Sequence, residues 1–221
     1  MPTPSPAIQA VITGDLVASS TLPDSRLDAA ILALQDSAQN WAALNGAAHD
    51  LHFTRFRGDG WQILIPQPGH ALRIALMLSA ALTAADTGLS TRLALGFGSV
   101  TRLPSGDLSA ATGTAFLRSG RALDSMPRSQ TWAVAGGTGL PLWIAASIPL
   151  AEWQAARWTK GQAAVVAEYL DPVHRRQEDR AARMRLTRQA WASRFAGSGI
   201  SAWQATLDLW ENWNGAGVGD D

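Results

Sequence analysis

Phe53-Thr54-Arg55-Phe56-Arg57-Gly58-Asp59-Gly60-Trp61-Gln62-Ile63-Leu64 joins two β-prone runs across a short polar break. Leu51–Phe56 and Trp61–Ile65 read as strands, and Arg57 to Gly60 as the tight turn of a hairpin. Upstream, residues 8–13 (IQAVIT) are rich in β-formers and run into Gly14-Asp15, which reads as a buried strand. Between that strand and the hairpin, Pro23-Asp24-Ser25 signals a helix start with Asp24 or Ser25 as N-cap. Leu27, Ala30, Ile31, Leu34, Ala38, Trp41 and Leu44 then recur at helical spacing, and Gly46 closes the helix. Downstream, Gly69 to Ala85 reads as a second amphipathic helix. Arg92 to Val100 is a strand with Leu93, Leu95 and Phe97 on one face and Ala94, Gly96 and Gly98 on the other.

The order is β-α-β-β-α-β, the ferredoxin-like arrangement, in which both helices cover one face of an antiparallel sheet. The other face needs a cover or a use. Ala94, Gly96 and Gly98 leave room there for a close approach, by a helix or by a ligand with equal weight. A helix at Thr112–Leu123, an apolar stretch at Thr131–Ala135 and a mostly helical region from about residue 140 follow.

The 221 residues carry 18 basic and 18 acidic side chains, which excludes a strongly basic nucleic-acid coat as a global description. The absence of cysteine removes disulfides, thiolate metal sites and cysteine nucleophiles. No stretch reads as a signal peptide or membrane span, so a cytoplasmic protein is expected. Motifs of P-loop ATPases, dinucleotide folds, zinc proteases and nucleophile elbows are missing. Neither His49, His52, His70 nor His174 falls in a metal-binding spacing.

In a ferredoxin-like sheet the third strand lies between the first and the second. Asp15 at the end of the first strand and Asp59 on the hairpin should therefore converge. Two close aspartates repel unless a cation lies between them, and magnesium suits hard carboxylate oxygens. Alone, Asp15 reads as a turn cap and Asp59 as an ordinary turn residue; their joint placement is what points to a metal or phosphate site.

On ITGDLVAS (12–19), FTRFRGDGWQIL (53–64), TRLALGFGSV (91–100) and GTAFLRSGRAL (113–123), the chain resembles the SatD-like proteins. It is more distantly similar to the class III nucleotidyl cyclase fold shared by GGDEF-type domains. The resemblance implies Asp15 and Asp59 as ligands of Mg²⁺ or Mn²⁺, with the Leu16 carbonyl assisting. It implies ATP or GTP as the bound nucleotide, with Arg55, Gly58, Gly96, Gly98 and Thr114 around it. Arg121, eight residues after Gly113, falls where cyclases keep an arginine that steadies the phosphate. Those enzymes complete their sites across a homodimer, so the resemblance also implies a dimer. Leu117 stands where cyclases carry a catalytic asparagine, Thr114 replaces an acidic base-reading residue, and no GGDEF signature occurs.

Thr187 to Phe195, a turn at 196–199 and a helix from Ala202 to Trp213 capped by Ser201 outline a helix-turn-helix. Such a module suggests DNA binding, yet the second helix carries Asp208 and Glu211 and no cation. The cations precede it, with Arg176, Arg180, Arg183 and Arg188 as candidate phosphate contacts. Trp191, Trp203, Trp210 and Trp213 fit a small core or a dimer contact.

The reading is α+β: a nucleotidyl-cyclase-like domain over 1–139, a small all-α helix-turn-helix-like module over 140–214, and a flexible tail over 215–221. The function expected is a nucleotide-responsive regulator whose helix-turn-helix-like module supplies the output, by DNA binding or by assembly. Its alternatives are an active nucleotidyl cyclase or nucleotidyltransferase, and an interaction module with a decayed site.

Overall fold

The structure, a computed structural model, describes residues 7–17, 22–46, 51–56, 58–173 and 175–219. His49 and His174 lie outside them. Within these residues the fold is mixed α+β, with a five-stranded sheet and eight α-helices. The strands are β1 (Gln9–Val17), β2 (His52–Phe56), β3 (Gly60–Ile65), β4 (Ser90–Gly98) and β5 (Trp132–Ala135). They lie in the order β2-β3-β1-β4-β5. β1 runs antiparallel to both β3 and β4, β2 and β3 form the hairpin, and β5 joins β4 in parallel.

The strand patterns become two opposed faces. Ala10, Ile12 and Leu16 of β1 and Leu93, Leu95 and Phe97 of β4 enter the main core. Helices α1 (Asp24–Leu44) and α2 (Ala71–Ala85) cover that face. α1 begins at Pro23 with no side-chain cap, so Asp24 falls in its first turn, where a carboxylate favours the helix dipole. Gly14 sits opposite Trp61, and a Cβ there would come within 2.5 Å of the indole. The glycine of the Gly-Asp pair thus makes room for a buried tryptophan, whose Nε1 donates to Thr91 Oγ1 at 3.1 Å.

The opposite face is covered by α3 (Thr114–Asp124). Thr13 and Ser119 share a buried hydrogen bond of 2.8 Å across that contact. The bare face of β4 is therefore filled by a helix.

α2 is buried almost all round, from Ala71 to Leu82, and is not amphipathic. Its outer side meets the C-terminal region: α4 (Leu142–Ala155), α5 (Lys160–Leu170) and α8 (Gln204–Glu211). Arg73, the charge inside α2, pairs with Glu211 of α8. Ile144, Val166, Ile200, Leu207 and Trp210 belong to the same core as Ile12 and Phe97. The two remaining helices are α6 (Gln177–Arg183) and α7 (Arg188–Ser198).

Thr187 caps α7, accepting from the Ala190 N–H at 3.1 Å. Ser201, by contrast, lies inside a 3₁₀ turn (Ile200–Trp203), and α8 starts three residues later without a side-chain cap. Residues 215–219 pack rather than dangle: Gly215 lies against Ile8 and Gly217 against Gly139. α5 opens on a full capping box, in which Thr159 and Gln162 each satisfy the other's backbone N–H. Thr159→Ala should cost about 1 kcal/mol, read as a lower denaturation midpoint with an unchanged slope.

Candidate functional site

Antiparallel registry places Asp15 opposite Gly60 on β3 and opposite Arg92 on β4. The Leu16 N–H donates to the Asp59 carbonyl at 3.2 Å. The backbone of Asp59 thus lies beside β1 next to Asp15, at one end of the sheet. Gly58, at φ +80°, supplies the left-handed residue that the turn beside Asp59 requires.

The cation beside Asp15 is Arg92. Its Nε donates to Oδ1 at 3.0 Å and its Nη2 to Oδ2, a two-pronged pair that occupies both carboxylate oxygens. The hydrogen bond to Asp15 holds the Arg92 guanidinium above its ordinary pKa, with Coulombic attraction from Asp15 and from Asp124 at the end of α3 adding to it. Alternation put Arg92 at the start of β4, but its partner depends on the β1–β4 register, which no local pattern reveals.

As a metal site the arrangement does not fit. Among the described residues no group of three or more His, Cys, Asp or Glu could hold a metal ion. Both oxygens of Asp15 already face a guanidinium, and a divalent cation beside it would be repelled. Leu16, expected to lend its carbonyl, is anchored through its N–H and buried at 3% exposure.

The residues expected around a nucleotide are dispersed. Arg55 pairs with Asp28 of α1 at 2.7 Å and donates to the Gly58 carbonyl at 2.6 Å, bracing the hairpin. Gly96 and Gly98 face α3, whose backbone a Cβ at either position would strike at under 3 Å. They serve helix packing, not a ligand. Thr114 Oγ1 accepts from the Ser99 N–H at 2.9 Å and ties the start of α3 to the end of β4. Leu117 and Arg121 lie one turn apart on the solvent face of α3. On the same helix Arg118, absent from the sequence reading, donates to the Phe97 carbonyl at 2.7 Å.

The arginines of the C-terminal region are mostly spent internally. Arg180 is 5% exposed, donates to the carbonyls of Glu168, Val173 and Arg175, and stacks over Tyr169. Burial lowers its pKa. A side chain so enclosed cannot grip a phosphate of DNA. Arg183 pairs with Glu168 and Arg188 with Glu178, while Arg176 is exposed. Arg183 therefore finds its acid on α5. Trp191 and Trp210 are buried core residues, unavailable for stacking on bases.

No protein-family model matches the chain. No curated protein matches it. Solved structures similar to it include the guanylyl cyclase Cya2, at 13% identity over 53% of this chain and 69% of that one, with a TM-score of 0.37. A bacterial light-regulated adenylyl cyclase is similar at 16% identity, over 69% of this chain and 81% of that one, with a TM-score of 0.38. The catalytic core of a rhodopsin-guanylyl cyclase with converted specificity, in complex with ATPαS, is similar at 15% identity over 55% and 73%, TM-score 0.35. No helix of the described residues is long and apolar enough to cross a membrane.

Proposed function

We propose that this chain is a nucleotide-binding protein of nucleotidyl-cyclase-like architecture that binds ATP or GTP and does not cyclise it. In this reading β1 to β4 with α1 and α2 form a ferredoxin-like unit, to which α3 and β5 are added. The observation that carries the proposal is the sheet end where Asp15, the backbone of Asp59 and the Arg92 guanidinium come together, Arg92 being the cation there that can meet a phosphate.

Two observations favour binding over turnover. Arg92 occupies Asp15, and Leu117 stands in place of a hydrogen-bond donor. Losing one donor aimed at developing charge costs about 10²–10³ in rate. Mg²⁺ or Mn²⁺ would reach Asp15 only if Arg92 released it. In this reading residues 140–214 are a helical layer on the shared core, and the burial of Arg180 speaks against DNA binding by this layer. The proposal includes a homodimer, with exposed Arg121 directed at the nucleotide of a second copy.

Calorimetric titration of ATP and GTP, with and without Mg²⁺, tests the reading, with chromatography of the products and sedimentation for the dimer. Binding that Mg²⁺ barely alters and no cyclic product are expected for the native chain. In Arg92→Gln, Mg²⁺ should tighten binding by about tenfold, one charged contact's worth, and Arg92→Gln/Asp15→Asn should lose that gain. A cyclic product would favour the enzyme instead. Absence of binding in every arm sinks the nucleotide reading and leaves an interaction module.

A further inference from the structure

α4 is apolar on two opposite faces. Ile144, Ile148, Ala151 and Ala155 enter the shared core. The other face carries Leu142, Ala145, Ala146, Pro149, Leu150 and Trp153, and all six are exposed. Their spacing, i, i+3, i+4, i+7, i+8 and i+11, is the one by which a helix normally buries a stripe. Leu142 is 86% exposed, Leu150 62% and Trp153 56%. The stripe holds no charged side chain. Glu152, at its edge, is held by the Thr131 N–H at 2.6 Å and the Thr131 hydroxyl at 2.8 Å.

Large and small residues are divided along the stripe in a way that matches itself. Ala145 and Ala146 form a saddle on one side of the midpoint, and Pro149 and Leu150 stand out on the other. A second α4 can lie antiparallel, related by a two-fold axis between Ser147 and Ile148. Leu142 of each chain then meets Trp153 of the other, and Pro149 and Leu150 of each fill the saddle of the other. Mutual matching of this kind is what a two-fold interface requires. Trp153 is already ordered for the contact: the Arg157 guanidinium lies 3.9 Å over its ring and donates to its carbonyl at 2.8 Å. A fixed aromatic anchor loses little side-chain freedom on association. The stripe offers on the order of 500 Å² per copy, so a symmetric pair buries about 1,000 Å², near the lower bound of specific interfaces.

A lipid surface fits less well. Helices that lie on membranes flank their apolar face with several free cations, whereas here Arg157 is stacked on Trp153 and Lys160 pairs with Asp86 at 3.0 Å. A chain with 18 basic and 18 acidic side chains also meets its own copy without net repulsion.

We propose that the outer face of α4 pairs with the same face of a second copy of this chain, antiparallel about that two-fold axis, and that the pair forms without nucleotide. The interface stands apart from the contact proposed for Arg121, which lies on α3 over the other face of the sheet.

Sedimentation equilibrium of the full chain without nucleotide tests the pairing. A reversible monomer–dimer equilibrium with Kd on the order of 10 μM is expected for an interface of this size. A two-fold axis counts each substitution twice, so Leu150→Arg and Leu142→Arg should each raise Kd by about a hundredfold or more. Both sites are exposed, and circular dichroism confirms the fold. The register is read by oxidative cross-linking, because the chain has no cysteine of its own. Leu142→Cys mixed with Trp153→Cys should give a disulfide-linked dimer. Leu142→Cys alone should not, since its two copies would lie about 16 Å apart along the helix axes. A chain that stays monomeric at 300 μM, or a dimer indifferent to both arginine substitutions, would overturn the pairing. So would a dimer that forms only with ATP or GTP, which would belong to the nucleotide site, or equal cross-linking by Leu142→Cys alone. A monomer that instead sediments with phosphatidylcholine–phosphatidylglycerol vesicles, and loses that in Leu150→Arg, would assign the face to lipid and overturn it as well.

Discussion

Trp210→Ala is expected to destabilise the whole chain by about 3–5 kcal/mol, the range for truncating a fully buried tryptophan. For a chain of this length that lowers the melting temperature by roughly 10 °C. Trp210 is 0% exposed, donates from Nε1 to Ser147 Oγ at 3.1 Å, and packs on Phe97 of β4 at 6.1 Å between ring centroids. Trp143 and Trp213 meet it edge-on. One substitution therefore opens a cavity at the junction of α4, α8 and the sheet, and leaves the Ser147 hydroxyl without its donor. The informative part is the shape of the melt. A helical module folding by itself would lose its own signal early and leave the sheet at the native midpoint. A shared core predicts one cooperative transition moved as a whole, followed in far- and near-ultraviolet circular dichroism.

Gly96→Val is the second large effect, expected at about 3 kcal/mol or more from overpacking. An added Cβ would lie 2.3 Å from the Ala115 carbonyl oxygen and 2.4 Å from the Ser119 nitrogen. Both are backbone atoms, so no rotamer change relieves the clash and α3 must retreat. Its retreat would also break the buried Thr13–Ser119 hydrogen bond. Gly120→Ala is the matching control, because nothing lies within 4 Å of the Cβ it would add. In a helix that change should stabilise by about 0.5–1 kcal/mol. Chemical denaturation of both variants checks the pair. The comparison also bears on function: a glycine kept bare for a ligand would lose binding when enlarged and retain its stability.

What the chain reveals locally is considerable. The turn at 58–60, the alternation along β1 and β4 and the spacing of α1 are short-range patterns, and each appears as an element. Patterns of that kind work because side-chain direction repeats every two residues in a strand and every 3.6 in a helix. That the end of β1 and the hairpin turn lie side by side was legible as well, since it follows from strand order and turn position alone.

The misreadings share a cause. α2 reads as amphipathic until its outer face meets α5 and α8, a contact between segments about 90 to 130 residues apart. Glu211 looks like a charge that repels DNA, and in the fold it neutralises Arg73. Arg180 looks like an exposed cation, and its guanidinium is consumed by three carbonyls. Gly96 and Gly98 left a helix and a ligand equally placed, and only α3 decided between them.

By itself, then, the sequence determined four of the five strands, most helix positions and the approach of the β1 end to the hairpin turn, because dihedral preference and hydrophobic period act over a few residues. Tertiary structure alone decided which charge meets which. The cation beside Asp15 proved to be Arg92, one strand away in space and 77 residues along the chain. Electrostatic partners are chosen by register and packing across such distances, where a linear pattern carries no information.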